Sequence, residues 1–153
     1  MASVVIAAAD PRTDDARRLV GELDDDLATL YPPETNILLD IEALADPRMR
    51  IFLLHLDGEP VGCGRIWLHD DYAEVKRFYV IPSARGMGLA RAIMARLDDE
   101  ARAVGIKIIR LEAGVSQPAA LGLYHALGYI QRGPFGDYPT DDPRSVFIEK
   151  ALL

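Results

Sequence analysis

Residues 83–90 (Ser-Ala-Arg-Gly-Met-Gly-Leu-Ala) combine an arginine with two glycines, residue types suited to binding phosphate. The guanidinium of Arg85 supplies positive charge, and Gly86 and Gly88 let an anion approach the main chain closely because they lack a Cβ. A P-loop would need Lys-Ser/Thr after Gly88, and a dinucleotide fingerprint would need a third glycine where this chain has Arg91. The loop therefore indicates a phosphate site of another kind.

A strand-like run precedes this loop and a helix-like run follows it. Residues 74–80 are rich in β-branched and aromatic side chains and stop before Pro82, as is typical of a strand end. Downstream, apolar residues recur at helical spacing until Gly105, namely Leu89, Ile93, Leu97, Ala101 and Val104. The loop is thus predicted to lie at a helix N-terminus, where unpaired N–H groups and the helix dipole attract anions.

A second motif, Leu123-Tyr124-His125-Ala126-Leu127-Gly128-Tyr129, follows farther along the chain. The pattern Arg85-x-x-Gly88-x-Ala90 resembles the acyl-CoA signature of the GCN5-related N-acetyltransferase (GNAT) family, and the second motif resembles the Leu-Tyr-x-x-x-Gly-Phe/Tyr element of the same family. The two motifs occur in the family's order. The resemblance extends over nearly the whole chain.

The resemblance implies where acetyl-CoA binds. Its thioester would lie where two parallel strands, residues 74–80 and 107–112, splay apart. Main-chain groups of the first strand would pair with the pantetheine arm like an added strand, at Phe78, Tyr79 and Val80. The loop would hold the pyrophosphate, through Arg85, Gly86, Met87, Gly88, Leu89 and Ala90. Gln117 stands where the family often has asparagine, and its longer amide would contact the pantetheine.

Amine acetylation requires a base for the amine and an acid for the departing thiolate. The resemblance implies that Tyr124 is the acid, with its phenol near the CoA sulfur. Glu74 matches the position of the catalytic glutamate in histone-type family members, which acts through water. A glutamate at a strand start is also commonly just exposed to solvent, and water alone is the alternative base.

Acceptor recognition in this family usually comes from the first helical region and from the loop between the last strands. The candidate residues there are Tyr31, Glu34, Phe135 and Tyr138. Aromatic rings beside carboxylates bind amines through cation–π and ionic contacts, although an ordinary Pro/Gly turn with anchoring aromatics has the same composition. The amine itself is not identified by these residues.

The remaining chemically active side chains favour packing roles. Cys63, the only cysteine, lies among small residues and is expected to be a buried strand residue rather than a nucleophile. His55, His69 and His125 lack metal-ligand spacing and are expected at the surface or in packing contacts. No metal is expected.

Length and charge restrict the protein class. With 153 residues the chain suits one domain, residues 1–153. A net charge of −7 argues against a nucleic-acid partner. The apolar runs are too short for a membrane span and no export signal is evident, so a cytoplasmic location is expected.

The predicted order of elements is β-α-α-β-β-β-α-β-α-β-β. The predicted strands are residues 4–8, 51–56, 61–68, 74–80, 107–112, 129–132 and 145–150, and the helices are 13–29, 40–45, 89–104 and 117–127. This order matches the GNAT fold, a mixed α/β (α+β) class. We therefore expect a central, mixed but mostly antiparallel sheet of about seven strands, with helices on both faces and a splayed parallel strand pair.

The resulting hypothesis is direct transfer of the acetyl group of acetyl-CoA to a primary amine of a small molecule or peptide, with no covalent enzyme intermediate. One alternative is transfer of another acyl group, such as succinyl or propionyl. Another is a sensor that binds acyl-CoA without catalysis. A homodimer, frequent in the family, would be compatible with any of these.

Overall fold

One sheet of seven strands organises the residues described by the computed structural model, which are 3–10, 13–19, 21–22, 48–114, 118–136, 140 and 142–152, with the backbone alone at 77–78 and 118–119. The strands are β1 (Val4–Ala9), β2 (Met49–Leu56), β3 (Glu59–Leu68), β4 (Ala73–Val80), β5 (Ile108–Gly114), β6 (Ile130–Arg132) and β7 (Ser145–Ala151). Helix α1 (Leu89–Ala103) connects β4 to β5, and helix α2 (Pro118–Ala126) follows β5.

The strand order in the sheet is β1-β2-β3-β4-β5-β7-β6. β4 and β5 are parallel, whereas the other neighbouring pairs of described strands are antiparallel. The long connection through α1 is what a parallel pair requires, because a tight turn cannot join strands that run in the same direction. The mixed, mostly antiparallel sheet expected from the sequence is confirmed.

Alternate residues of the central strands pack on opposite faces of the sheet. On the face covered by α1, which we call the α1 face, the core includes Phe52, Leu54, Ile93, Met94 and Leu97. On the opposite face, which we call the far face, a second cluster consists of Ala16, Leu19, Ile51, Leu53, Cys63 and Tyr79. Helical residues therefore cover both faces, and Cys63 is buried in a strand, as predicted.

The N-terminal helix predicted for residues 13–29 is helical at 14–19 and 21–22. The rest of that helix, and the one predicted for 40–45, fall outside the described residues. Within the part of the chain that the structure describes, no helix is both long and apolar enough to cross a membrane.

The close packing of α1 on the sheet depends on a glycine in β3. A Cβ built on Gly64 would lie 2.5 Å from Cγ2 of Ile93, closer than such atoms approach in proteins. The helix can therefore come this close to the sheet only because residue 64 has no side chain. The same helix begins directly after the loop that follows β4.

Candidate functional site

The parallel strands β4 and β5 pair only near their starts. The paired positions are Ala73–Ile109, Glu74–Arg110 and Val75–Leu111. β4 then continues to Val80 beside β3, and β5 continues to Gly114 beside β7. The register between β3 and β4 shifts so that Lys76 is the extra residue, and a bulge of this kind bends a strand. The two strands thus part immediately after Val75, which confirms the predicted splay.

The loop after β4 folds back onto the end of that strand. Pro82–Ala84 form a short 3-10 turn. Nε of Arg85 donates a hydrogen bond to the carbonyl oxygen of Val80 at 2.9 Å, and the guanidinium carbon lies 5.6 Å from the ring centre of Tyr79. Residue Arg85 is otherwise exposed, so it places a positive charge where the splayed strand meets the loop.

Both loop glycines have left-handed backbone conformations. The φ angles are +83° at Gly86 and +78° at Gly88, a region that costs other residues energy because of their Cβ. A Cβ built at either position would have no described protein atom within 4 Å. The structure therefore adds a conformational reason for both glycines, and no described atom occupies the space directly beside them.

Helix α1 begins at this loop without a side-chain cap. Gly88 is its N-cap residue, no hydrogen bond from a described side chain caps this end, and its first turn contains no acidic residue. The first N–H groups of a helix have no partner within the helix and attract anions. The amides of Leu89 and Ala90 therefore lie at a helix start of the kind that binds anions.

Tyr124 lies buried in α2. Its ring meets the ring of Tyr129 edge-on, with 5.8 Å between the ring centres. Burial raises the pKa of Tyr124 above its ordinary value, and the nearby Glu112 carboxylate raises it further. The phenol is consequently kept protonated at neutral pH, which is the state that a general acid requires.

Glu74 is only 3% exposed, so the alternative that it is a solvent-facing strand residue is wrong. Its neighbours Ala73 and Val75 pack on the α1 face, and alternation along β4 directs Glu74 to the far face. Lys76 Nζ donates a hydrogen bond to its Oε2 at 3.3 Å, and His69 Nε2 lies 3.7 Å from its Oε1. A buried carboxylate thus lies beside the point where the strands part.

Glu112 is a second carboxyl group at this point, and the sequence reasoning missed it. It lies one residue beyond Leu111, the last position at which β5 pairs with β4. Burial raises the pKa of Glu112, as do the carboxylates of Glu74 and Asp142, and this rise outweighs the opposing hydrogen bond with Ser145 and the charge of Lys76. The site therefore contains a carboxyl group that holds a proton more strongly than an ordinary glutamate does.

Alternation along β5 is the signal that would have identified Glu112. Ile109, Leu111 and Ala113 pack on the α1 face, which leaves Arg110 and Glu112 directed to the far face with Glu74. The predicted strand ended at residue 112, whereas the observed strand extends to 114. Glu112 thus lies inside a strand and not at its frayed end.

Phe135 is buried against the far face. Its ring lies 5.7 Å from that of Tyr72 and 5.6 Å from that of Phe147, and the guanidinium carbons of Arg110 and Arg132 are each 5.8 Å from its centre. These contacts anchor the segment between β6 and β7. The other sequence-predicted residues of the acceptor and pantetheine sites, Tyr31, Glu34, Gln117 and Tyr138, lie outside the described residues.

The structure thus places Glu74 and Glu112 beside the point where the strands part, with Tyr124 near Glu112 and the glycine loop at the far end of β4. Phe78, Tyr79 and Val80 form the end of β4 between the splay and the loop. In the described ranges there is no group of three or more His, Cys, Asp or Glu side chains that could hold a metal ion.

The family model for the acetyltransferase (GNAT) family matches residues 16–129 of this sequence. The chain belongs to the GNAT family. A GNAT relative from Azospirillum brasilense, named IAA acetyltransferase, is 44% identical over 154 aligned residues, which cover 99% of this chain and 100% of the relative.

Solved structures agree with this assignment. An acyl-CoA N-acyltransferase structure from Klebsiella pneumoniae has a TM-score of 0.82 and 33% identity, with 98% of both chains covered. PaiA N-acetyltransferase from Thermoplasma acidophilum, solved in complex with coenzyme A, has a TM-score of 0.75 at 14% identity and covers 97% of this chain and 99% of its own. The second likeness is one of fold. The chain is thus similar to GNAT proteins over nearly its full length.

Proposed function

We propose that this GNAT chain transfers the acetyl group of acetyl-CoA directly to a primary amine of a small molecule or peptide. The observation that carries the proposal is the parting of β4 from β5 after Val75, together with the glycine loop after β4 that leads into the N-terminus of α1. An acyl thioester in this opening would lie between Glu74 and Glu112 on one side and the α2 residue Tyr124 on the other.

The donor would bind mainly to the backbone. Main-chain groups of Phe78, Tyr79 and Val80 would pair with the pantetheine arm, as an added strand pairs with a sheet edge. The pyrophosphate would bind at the start of α1, through Arg85, Gly86, Met87, Gly88, Leu89 and Ala90. The GNAT family uses acetyl-CoA as its co-substrate, which supports this placement.

The transfer itself would need two proton movements. Glu74 would take a proton from the acceptor's ammonium group through a water molecule, and the neutral amine would then attack the thioester carbonyl. When the tetrahedral intermediate collapses, the departing thiolate would receive a proton from Tyr124. This assignment uses the position of Tyr124 in α2 near Glu112, where its phenol is protonated at neutral pH.

Glu112 is a second candidate for the base. Its raised pKa would make it a better proton acceptor than an ordinary glutamate, and its charge acts directly on Tyr124. Separate Glu74→Gln and Glu112→Gln variants, each assayed from pH 6 to 10, would show which carboxylate is responsible for the acid limb of the rate profile.

The acceptor would approach from the far face, where both carboxylates are directed. Phe135 would line that approach together with Tyr31, Glu34 and Tyr138, and Gln117 would contact the pantetheine. Because the Azospirillum relative is named IAA acetyltransferase, IAA would also be tested as an acceptor. A cytoplasmic location and a homodimer also stay predictions, and sedimentation would test the latter.

An acceptor screen tests the proposal. The purified chain would be incubated with acetyl-CoA and phenylethylamine, spermidine, lysine or a peptide with a free N-terminus, and free thiol would be measured. We expect thiol release that depends on one of these amines, with one acetyl group added to it by mass spectrometry. Succinyl-CoA and propionyl-CoA arms would test acyl preference. Binding of acetyl-CoA without release to any amine would favour a sensor.

A further inference from the structure

His69 lies at the end of β3, where the chain turns towards β4. Its backbone N–H donates a hydrogen bond to the carbonyl oxygen of Tyr72 at 2.9 Å. Its ring stacks on that of Tyr72 with 4.4 Å between centres, and the ring of Trp67 lies 4.8 Å away. The turn and the two aromatic rings together fix the orientation of the imidazole.

One ring nitrogen of His69 faces the carboxylate of Glu74. Nε2 lies 3.7 Å from Oε1 of Glu74, and this buried nitrogen has no hydrogen-bond partner among the described residues. Buried polar atoms in proteins are rarely left in that state. The distance is slightly longer than a hydrogen bond and is typical of catalytic contacts that shorten, or are bridged by one water, when substrate binds.

Solvent access differs sharply between the two groups. The Glu74 side chain is 4% exposed and that of His69 is 26% exposed. The other carboxylate oxygen of Glu74 accepts a hydrogen bond from the Lys76 ammonium. A proton delivered to Glu74 therefore needs a way out that passes neither through Lys76 nor directly into bulk water.

We propose that His69 provides this way out by relaying the acceptor's proton from Glu74 to solvent. The inference deepens the proposed function and rests on it, because Glu74 must receive that proton. Imidazole is the side chain best suited to accept and release a proton near neutral pH, and Nε2 of His69 faces Oε1 of Glu74. His69 acts through Glu74 and is thus a positioning residue of the site.

Each acetyl transfer releases one proton to solvent. The acceptor ammonium gives one proton through water to Oε1 of Glu74, Oε1 gives a proton to Nε2 of His69, and the imidazolium releases a proton to solvent. The neutral amine attacks the thioester, the C–N bond forms and the C–S bond breaks. Tyr124 gives its phenol proton to the departing thiolate of CoA, and the second proton of the nitrogen restores the phenol of Tyr124. The products are the amide, CoA thiol and one released proton.

Charged groups from three elements surround this pair. Lys76 of β4 lies 5.4 Å from the ring centre of Trp67 as well as beside Glu74, and Arg110 of β5 lies 4.5 Å from the ring centre of Tyr72. The turn that holds His69 also contains Asp70 and Asp71. The carboxylate of Glu112 of β5 also interacts electrostatically with Glu74.

Two variants of His69 test the relay. His69→Phe keeps an aromatic ring in the stack but no nitrogen, and His69→Gln keeps a polar group that does not titrate. With the amine that is turned over fastest in the acceptor screen, we expect both variants to lower kcat at pH 7 at least about tenfold while the KM for acetyl-CoA stays unchanged. Added imidazole buffer should restore most of the rate. His55→Gln, a half-buried β2 histidine, is the matched control and should match the wild type.

The outcomes separate the relay from the proposed function. Loss of rate without imidazole rescue, or kcat within twofold of wild type in both variants, would overturn the relay. If Glu74→Gln alone leaves the rate and pH profile unchanged, Glu74 is not the base and the relay falls with it, while transfer to the amine stands. No transfer by the wild type to any amine would overturn both. If His69 acts only through Glu74, the kcat of the double variant Glu74→Gln/His69→Gln should be no lower than the kcat of Glu74→Gln alone.

Discussion

The proposed acetyl-CoA region, residues 76–90, which we call the donor end, depends on main-chain groups, whereas the far face of the site depends on side chains. At the donor end, the geometry comes from the backbone, because the splay, the left-handed glycines and the uncapped start of α1 all involve main-chain groups. On the far face, the geometry comes from packed and charged side chains, with Glu74, Lys76, His69 and Phe135 in contact with strand neighbours. A site made of main-chain groups can bind the same ligand in many different sequences. The binding properties of a site made of side chains can be altered by single substitutions.

This difference explains why the sequence indicates the acetyl-CoA donor but does not identify the acceptor amine. A backbone site needs glycines and a helix start, which form a short local motif. A side-chain site needs residues that meet only after the sheet has formed, such as Glu112 with Ser145. Substitutions at the two regions should therefore affect different measured quantities.

The largest effect is expected from Tyr124→Phe, which removes a proton but little volume. We expect kcat to fall about 100-fold because the thiolate would leave unprotonated, while the Kd for acetyl-CoA stays within twofold of wild type. Tyr129→Phe is the matched control, since Tyr129 is equally buried and its hydroxyl has no hydrogen-bond partner within the described residues. Full turnover by Tyr124→Phe at every pH would remove the acid assignment.

Gly88→Val should break the donor end while sparing the far face. A β-branched residue at φ +78° is strained by about 1–2 kcal/mol, and its side chain would enter the open space beside the loop. We expect the Kd for acetyl-CoA to rise at least about tenfold by calorimetry. Gly58→Val, at φ +85° in the β2–β3 turn, carries the same strain and should bind normally. Equal loss in both variants would mean that strain alone weakens binding.

Gly64→Ala connects the fold to the donor end. The added methyl would meet Ile93 at 2.5 Å and force α1 outward, so we expect a loss of about 1–3 kcal/mol of unfolding free energy in urea titrations, with weaker acetyl-CoA binding. Gly122→Ala in α2, where a Cβ would meet no described atom within 4 Å, should be neutral or slightly stabilising. If Gly64→Ala is as stable as wild type, the close packing of α1 does not depend on this glycine.

Glu112→Gln should produce the smallest and most diagnostic change in stability. Because burial raises the folded-state pKa of Glu112, its ionisation costs stability as pH rises above the unfolded value of about 4.3. We therefore expect Tm to rise by about 2–4 °C at pH 7 and the difference to vanish near pH 4, measured by calorimetry.

Glu100→Gln should change stability at pH 7 in the opposite direction to Glu112→Gln. Although burial alone raises it, hydrogen bonds from Arg50 and Arg96 bring the pKa of Glu100 below its ordinary value. Its charge therefore stabilises the fold above that value, and the variant should be less stable than wild type at pH 7 but not at pH 3. A lower Tm for Glu112→Gln than for the wild type at pH 7 would contradict the claim that ionisation of the buried Glu112 side chain costs stability.

Local patterns predicted most of the fold. Each described strand lies within two residues of its predicted bounds, since alternating apolar residues and turn residues mark strands locally. The bulge at Lys76 was not predicted, because it depends on how β4 pairs with β3 and not on the residues of β4 alone. The burial of Glu74 was missed for the same reason, as its surroundings come from β3, β5 and the turn after β3.

Calorimetric titration of the chain with acetyl-CoA tests the central claim most directly. A donor site made by the splayed strands and the glycine loop predicts one acetyl-CoA bound per chain with a Kd below about 1 mM, and at least tenfold weaker binding to Gly88→Val. No detectable heat at millimolar acetyl-CoA, or equal affinity in wild type and Gly88→Val, would contradict it.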